Sequence, residues 1–234
     1  MENVRSVERA LELLDCFTEA RKEIGLSELS RILDLPKATV LRLARTLENK
    51  GYLIQHDENH TYRLGPKVLG LGNVFLSNLD FRMVALPLMK DLRDRTQETV
   101  SMYIVIDKQR MCVQRVESHH TLQPAIHIGD YLPLDRGSAG KLLIVYRNIE
   151  PSIERMNPGE VKQILENGFA VSIEEREQGL SSISAPIYNN KGEVIAALSV
   201  SGSSFRFTEE KRKEYQKEIV ETAHQISYQL GYLS

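Results

Sequence analysis

Residues 25–53 read GLSELSRILDLPKATVLRLARTLENKGYL, and this stretch decides how the first part of the chain folds. Leucine and isoleucine recur at helical spacing through residues 26–33, which predicts a short helix with one apolar face. Pro36 ends that helix, because the residue before a proline is pushed out of the α region, and it also opens the next helix. The second helix ends near Lys50, where Gly51 can take the left-handed conformation that closes a helix.

The second helix has a basic polar face. Its polar positions are Lys37, Thr39, Arg42 and Arg45. No acidic residue occurs between Pro36 and Leu47. Two short helices joined by a tight turn are a helix-turn-helix, whose second helix enters the major groove of DNA. The pattern alone fits a solvated helix in an ordinary helical domain equally well, so the flanking segments have to decide.

The segments on either side extend this unit to residues 1–65. Residues 6–18 predict a helix with a single core stripe. Residues 52–55 and 61–64 are β-prone and flank a polar tip, which predicts a hairpin. A hairpin directly after a recognition helix is a wing, so the domain is interpreted as a winged helix-turn-helix. Arg63 and His60 are within reach of phosphate or the minor groove, although solubility of the hairpin explains His60 more simply.

Residues 66–80 predict a helix that links two domains. Pro66 opens it, and its leucine, valine and phenylalanine residues make it unusually apolar for a connector. Gly70 and Gly72 permit a close approach of another backbone. We therefore expect this linker helix to pack against a partner subunit.

Residues 81–234 predict an α+β domain with an antiparallel sheet. A helix over residues 81–94 comes first, and a loop at residues 132–137 leads into a helix at Ser138. Thr208 caps the last helix, with two glutamates in its first turn. The predicted strands cover residues 99–106, 111–116, 125–128, 180–188 and 194–201, and a turn at residues 189–192 joins the last two.

Composition narrows the class of protein. The net charge of −2 over 234 residues excludes a generally basic nucleic-acid coat, so any DNA contact needs a local basic patch. Cys16 and Cys112 are expected to be reduced thiols. No apolar run reaches the roughly 18 residues of a membrane span. No signal-peptide pattern is seen and no cofactor motif is complete, so we expect a cytoplasmic protein without membrane contact and without a cofactor.

The order of these elements resembles the IclR family of bacterial transcriptional regulators. The resemblance covers most of the chain, in the same order and spacing. The matching stretches are SVERALELLDCF, GLSELSRILDLPKATVLRLARTLENKGYL, YRLGPKVLGLG, LPLDRGSAGK and GFAVSIEEREQGLSSISAPIYNNKGEVIAALSVSGSSFRFT.

The resemblance implies a winged helix-turn-helix, followed by an effector domain related to the GAF fold, in a homodimer or dimer of dimers on a palindromic operator. Lys37, Thr39 and Arg42 would lie at the end of the recognition helix that reaches base edges. Arg42 suits a bidentate contact to guanine, whereas Lys37 and Arg45 suit phosphates. Ala38 departs from the small hydroxyl residue that is more usual in the family.

The resemblance also implies a pocket for a small effector. One wall would consist of Leu132, Ser138 and Ala139, and the other of Ser172, Leu180 and Ser182. Backbone amides at the N-terminus of the helix that starts at Ser138 favour a carboxylate. Family members that bind small oxo-acids tend to have aspartate at position 172 and cysteine at position 182. The serines here are also explained by local capping and turn bonding.

Two other functions fit parts of the sequence. Ser138 and Lys141 have the S-x-x-K spacing of serine acylases, which would suit a hydrolase with an appended domain, but the accompanying S-D-N and K-T-G motifs are missing. A GAF-like signalling module could instead bind a partner protein through the apolar linker helix. We predict a non-enzymatic DNA-binding regulator, a repressor, that is controlled by a small carboxylate.

Overall fold

The computed structural model describes residues 4–18, 20–77, 81–121, 123–150 and 152–233. These residues form two compact units, Met1–Leu79 and Asp80–Ser234. Residues 78–80, which the sequence assigned to the end of the linker helix, lie outside the described part. No helix among the described residues is long and apolar enough to cross a membrane.

The helices of the N-terminal unit are α1 (Arg5–Asp15), α2 (Leu26–Ile32) and α3 (Lys37–Asn49). Helix α2 ends before Asp34, which takes a left-handed φ of 50° and turns the chain toward α3. A core of buried aliphatic side chains holds the three helices together. This core includes Leu13, Leu29, Val40, Ala44 and Leu53. The predicted helix-turn-helix is therefore confirmed.

A small sheet follows α3 and forms the predicted wing. Strands β2 (Leu53–Gln55) and β3 (Thr61–Leu64) are antiparallel, and β3 also pairs with the short β1 (Ile24–Gly25). Gly65 then donates a hydrogen bond to the carbonyl of Tyr52 at 2.7 Å, which closes the base of the hairpin. Helix α4 (Pro66–Ser77) begins directly after it, as the proline predicts.

The C-terminal unit contains one antiparallel sheet of strand order β6-β5-β4-β9-β8-β7 in the described residues. Its strands are β4 (Thr99–Ile106), β5 (Gln109–Val116), β6 (Tyr131–Pro133), β7 (Ala170–Ile173), β8 (Leu180–Tyr188) and β9 (Val194–Ser203). Because successive side chains in a strand point to opposite faces, each strand contributes to two different layers.

Helices cover both faces of this sheet. Helices α5 (Phe81–Thr96) and α8 (Glu209–Gln229) pack on each other and on β4, β5 and β8. Helices α6 (Ser138–Tyr146) and α7 (Pro158–Asn167) lie together, with α6 on β7, β8 and β9. Helix α6 is buried from Ser138 to Val145, so it is a core helix without a solvent face.

One expectation for the C-terminal sheet was wrong, and one strand was not predicted. Residues 125–128 form no strand, since Pro124 lacks an amide hydrogen and His127 starts a turn in which its amide donates to the side chain of Asp130 at 2.7 Å. The edge strand is instead β6, where Leu132 pairs with Arg110. Strand β7 was not predicted, because its four residues are too few for a clear alternation of apolar and polar side chains.

Candidate functional site

Helix α3 presents its basic residues to solvent. Lys37, Arg42 and Arg45 are exposed, and Thr39 is half-buried beside the first turn. None of the three cations forms an ion pair with any residue that the structure describes. Glu48, the first acid along this helix, instead accepts a hydrogen bond from the amide of Gln55 in the wing at 3.3 Å. The exposed face of α3 is therefore positively charged and uncompensated, as binding to DNA phosphates requires.

The wing adds one further cation at a different position. Arg63 is exposed on β3, opposite Ile54 of β2. It lines a groove with Phe17, Lys22 and other residues, and the part of this lining that the structure describes contains no residue of α3. Arg63 is thus an exposed wing residue, separate from the cations of the recognition helix.

A cavity in the C-terminal unit lies at the N-terminus of α6. Gly137 precedes the helix with a φ of 79°, a conformation that other residues rarely adopt. Ser138 and Ala139 form the first turn of α6 and line the cavity. The cavity is small, about 30 Å³ in volume, and is partly open to solvent. This space holds only about two water-sized groups, so a larger ligand requires the lining side chains to move.

Hydroxyl groups cover the face of the sheet that α6 packs on. Strand pairing aligns Thr99, Ser201, Ser182 and Ser172 in one row across β4, β9, β8 and β7. Ser101, Ser199 and Ser184 form a second row beside it. We call these residues the hydroxyl rows. The side chain of Ser138 lies 2.7 Å from those of both Ser182 and Ser184, so the helix start is bonded to the rows.

The opposite face of the same strands is apolar. Val100, Ile183 and Val200 alternate with the hydroxyl residues and are fully buried. They belong to the face that α5 and α8 cover, because side chains alternate along a strand. One sheet thus has an apolar core on one side and a polar cavity floor on the other.

Two arginines lie in the wall of the cavity. Arg110 of β5 is only 4% exposed, and its Nη1 donates to the carbonyls of Pro133 and Arg136. Arg176 extends from the loop after β7 and pairs with Glu177 at 3.2 Å. Within the part of the chain that the structure describes, the lining includes no acidic residue. The cavity is therefore polar and positively charged.

The loop with Arg176 is fixed to the helices by a buried lysine. Lys141 of α6 is 7% exposed, and its Nζ lies 2.6 Å from a carboxylate oxygen of Glu160 on α7 and 2.6 Å from one of Glu175. Glu175 directly precedes Arg176. This ion-paired cluster determines where the loop meets the cavity.

Two known protein domains match successive parts of the chain. The IclR helix-turn-helix domain matches residues 6–57, and the C-terminal domain of bacterial IclR transcriptional regulators matches residues 74–156 and 152–228.

The chain belongs to the IclR family.

Relatives match this IclR-family chain over nearly its whole length. The regulator KdgR of Escherichia coli (strain K12) is 30% identical, with 99% of this chain and 94% of KdgR covered. The crystal structure of IclR from Thermotoga maritima has a TM-score of 0.83 at 24% identity and covers 98% of this chain and 100% of that one. An IclR homologue of Microbacterium hydrocarbonoxydans, crystallised with 4-hydroxybenzoate, has a TM-score of 0.85 at 21% identity, with 96% and 98% covered. The chain is a helix-turn-helix transcriptional regulator.

The structure brings most of the predicted effector residues of this IclR-family regulator to one place. Five of the predicted side chains line the cavity, namely Ser138, Ala139, Ser172, Leu180 and Ser182. Leu132 does not line it, because its side chain packs against the buried apolar cluster behind α6. The sequence did not identify Arg110, Arg176, Ser199 or Ser201, which also line the cavity.

The predicted thiols of the IclR-family regulator are buried. Cys16 lies in the N-terminal core and Cys112 in the C-terminal one, and neither forms a disulfide. Burial raises the pKa of Cys112 to about 11, so its thiol is protonated at neutral pH.

Proposed function

We propose that this regulator is a repressor that binds a palindromic operator through α3 and leaves it when a small carboxylate fills the C-terminal cavity. The unpaired cations on the exposed face of α3 are the observation on which this rests. A repressor acts where the chromosome lies, so the protein works in the cytoplasm of a bacterial cell.

Each residue on the DNA side has a distinct role in this proposal. Thr39 and Arg42 contact base edges, and Arg42 binds a guanine bidentately. Lys37 and Arg45 bind phosphates, which adds affinity and salt dependence without sequence information. Arg63 of the wing contacts the backbone beside the groove that α3 enters.

A homodimer, alone or as a dimer of dimers, places two recognition helices on the two halves of the operator. Apolar side chains that a monomer would expose support this arrangement. They are Val4 just before α1, Val7 and Leu11 on α1, and Leu69, Leu71 and Val74 on α4. In the proposed division of the chain, residues 1–65 bind DNA, residues 66–80 link the domains, and residues 81–234 bind the effector.

Binding rather than catalysis fits the groups in the cavity. Lys141 cannot act as a base for Ser138, since its amine is paired with Glu160 and Glu175 at 2.6 Å. The hydroxyl of Ser138 bonds instead to the serines of β8. Effector contacts from Ser138, Ala139, Ser172, Leu180 and Ser182 complete the proposed site, with Leu132 behind it.

Gel-shift titration of DNA from upstream of the protein's own gene tests this function. We expect tighter binding to that DNA than to a random duplex of equal length. The preference should persist when salt rises from 50 to 200 mM, because base contacts, unlike phosphate contacts, do not depend on counterion release. Equal affinity for both duplexes at both salt concentrations would contradict sequence-specific regulation.

Replacing Ala139 with phenylalanine should abolish the response to effector and leave DNA binding intact. Ala139 is 3% exposed in the first turn of α6, so a phenyl ring there has to occupy cavity space. A thermal-shift screen against small carboxylates and sugar acids should give stabilisation of the wild type and none of the variant. Loss of DNA affinity with ligand binding retained would contradict the proposed division between the two units.

A further inference from the structure

Arg110 is a buried cation without a counter-ion. Arg110 is only 4% exposed, yet no carboxylate of the described residues lies within ion-pair distance of its guanidinium group. Nη1 donates hydrogen bonds to the carbonyls of Pro133 and Arg136. Nε is buried and has no hydrogen-bond partner. A buried charge without a partner costs several kcal/mol, so the site favours an anion.

The unused edge of this guanidinium belongs to a residue that lines the cavity. Nε and Nη2 point to the same side, and this pair of donors matches the two oxygens of a carboxylate. A Cβ added to Gly137 would lie 3.2 Å from Nη2, which places that edge beside the N-terminus of α6. The backbone amides of α6 and the guanidinium thus converge on one point of the cavity wall.

The surroundings of Arg110 keep it charged but uncompensated. Burial lowers the pKa of Arg110 to about 10, and the positive charge of Arg176 adds to this effect, while Tyr103 and Asp135 oppose it. Arg110 is therefore still protonated at neutral pH. The ring of Tyr103 lies 5.5 Å from its central carbon, a cation–π contact that partly replaces the missing anion.

The cavity floor adds a second requirement on the ligand. Ser199 and Ser201 of the hydroxyl rows line the cavity, and the hydroxyl of Ser201 is buried without a hydrogen-bond partner. An alkyl chain over this floor would leave the hydroxyl unpaired, which costs about 1–3 kcal/mol. A ligand with its own hydroxyl groups would satisfy it.

We infer that Arg110 binds the acid group of the effector through its Nε and Nη2 atoms, and that the effector is a hydroxylated carboxylic acid whose hydroxyl groups bond to the hydroxyl rows. This inference rests on the proposed role of the cavity and assigns that role a chemical class. Arg176 provides a second positive charge from the loop side.

Matched ligands separate the two requirements. The full-length protein is titrated by calorimetry with glycerate, threonate and gluconate, with the neutral polyols glycerol, erythritol and glucitol, and with the plain acids propionate, butyrate and hexanoate. We expect at least one hydroxy acid to bind at least about 10-fold more tightly than both its neutral and its plain counterpart. Equal binding of a polyol or a plain acid, or no binding by any hydroxy acid, would overturn the inference.

Variants at Arg110 test the residue itself. Arg110→Gln retains a donor for the carbonyl groups and should weaken binding of that hydroxy acid by about 100-fold, while Arg110→Lys retains the charge without the paired donors and should weaken it by about 10-fold. Arg136→Gln removes the same charge from an exposed position outside the lining and should bind like wild type. Wild-type affinity in both Arg110 variants would refute the assignment. If Arg110→Gln does not fold, Arg110→Lys and Arg176→Gln provide the test, and the inference requires that both variants bind the hydroxy acid more weakly than wild type does.

A gel shift on the same proteins distinguishes this inference from the proposed function. Without ligand, Arg110→Lys should bind operator as wild type does, because Arg110 lies in the C-terminal unit. If Arg110→Lys binds DNA sequence-specifically and binds the acid as tightly as wild type does, only the role of Arg110 is contradicted. If acid binding depends on Arg110 but the wild-type protein does not prefer operator to random DNA, only the role as a regulator is contradicted.

Discussion

Replacing Arg42 with alanine should weaken operator binding by about 1–3 kcal/mol, or roughly 5- to 150-fold. Arg42 is exposed on α3, so its loss removes contacts to DNA and breaks no ion pair among the described residues. The loss should be larger for operator than for random DNA, since a guanine contact provides discrimination. Gel-shift titration of both duplexes at one salt concentration measures the difference.

Arg147→Ala is the matched control for this variant. Arg147 is exposed at the end of α6 in the C-terminal unit, and its removal changes the net charge by the same amount. Operator affinity should be unchanged in this control. Two results would show that α3 is not the recognition helix. One is that Arg42→Ala binds operator and random DNA as wild type does, and the other is that Arg147→Ala weakens operator binding as much as Arg42→Ala does.

Replacing Gly140 with alanine should lower the free energy of unfolding by about 3 kcal/mol. An added Cβ would overlap the backbone carbonyl of Leu134 and Nη1 of Arg110. A carbonyl in a packed loop cannot turn aside as a flexible side chain does. The gain in helix propensity from glycine to alanine, about 1 kcal/mol, does not offset this overlap. Urea unfolding followed by circular dichroism gives the free energy of each protein.

Gly25→Ala provides the comparison for Gly140. Gly25 is at the N-cap of α2 with a φ of −78°, and an added Cβ there has no atom within 4 Å. This change should cost about 1 kcal/mol or less. If Gly140→Ala were as stable as Gly25→Ala, the tight packing between α6 and the loop before it would not limit the sequence at position 140. We also expect Gly140→Ala to disturb ligand binding, because Arg110 must move.

The N-terminal unit could be predicted from local patterns alone. Its helix boundaries are signalled by residues that act on the backbone within one turn, such as Pro36 and Gly51, and its core residues recur at helical spacing. The same was true of Thr208, whose side chain caps α8. Signals of this kind need no knowledge of the tertiary structure.

The cavity depended on pairing between distant strands, which local patterns do not reveal. Three strands share a motif in which hydroxyl residues flank a β-branched one. The motif is Thr99-Val100-Ser101 in β4, Ser182-Ile183-Ser184 in β8 and Ser199-Val200-Ser201 in β9. Only the strand register makes it one surface. Arg110 gave no local signal at all, since a charged residue at the start of a strand is normally exposed.

The hydroxyl rows have a consequence for how ligand choice changes in evolution. A serine hydroxyl rotates about its Cβ–Oγ bond and can present either its hydrogen or a lone pair. The cavity floor can therefore reverse the direction of its hydrogen bonds without any movement of the strands. A descendant of this protein could accept a different arrangement of ligand hydroxyl groups while its fold remained the same, and a single exchange of serine for cysteine or aspartate on the floor would then fix one preference.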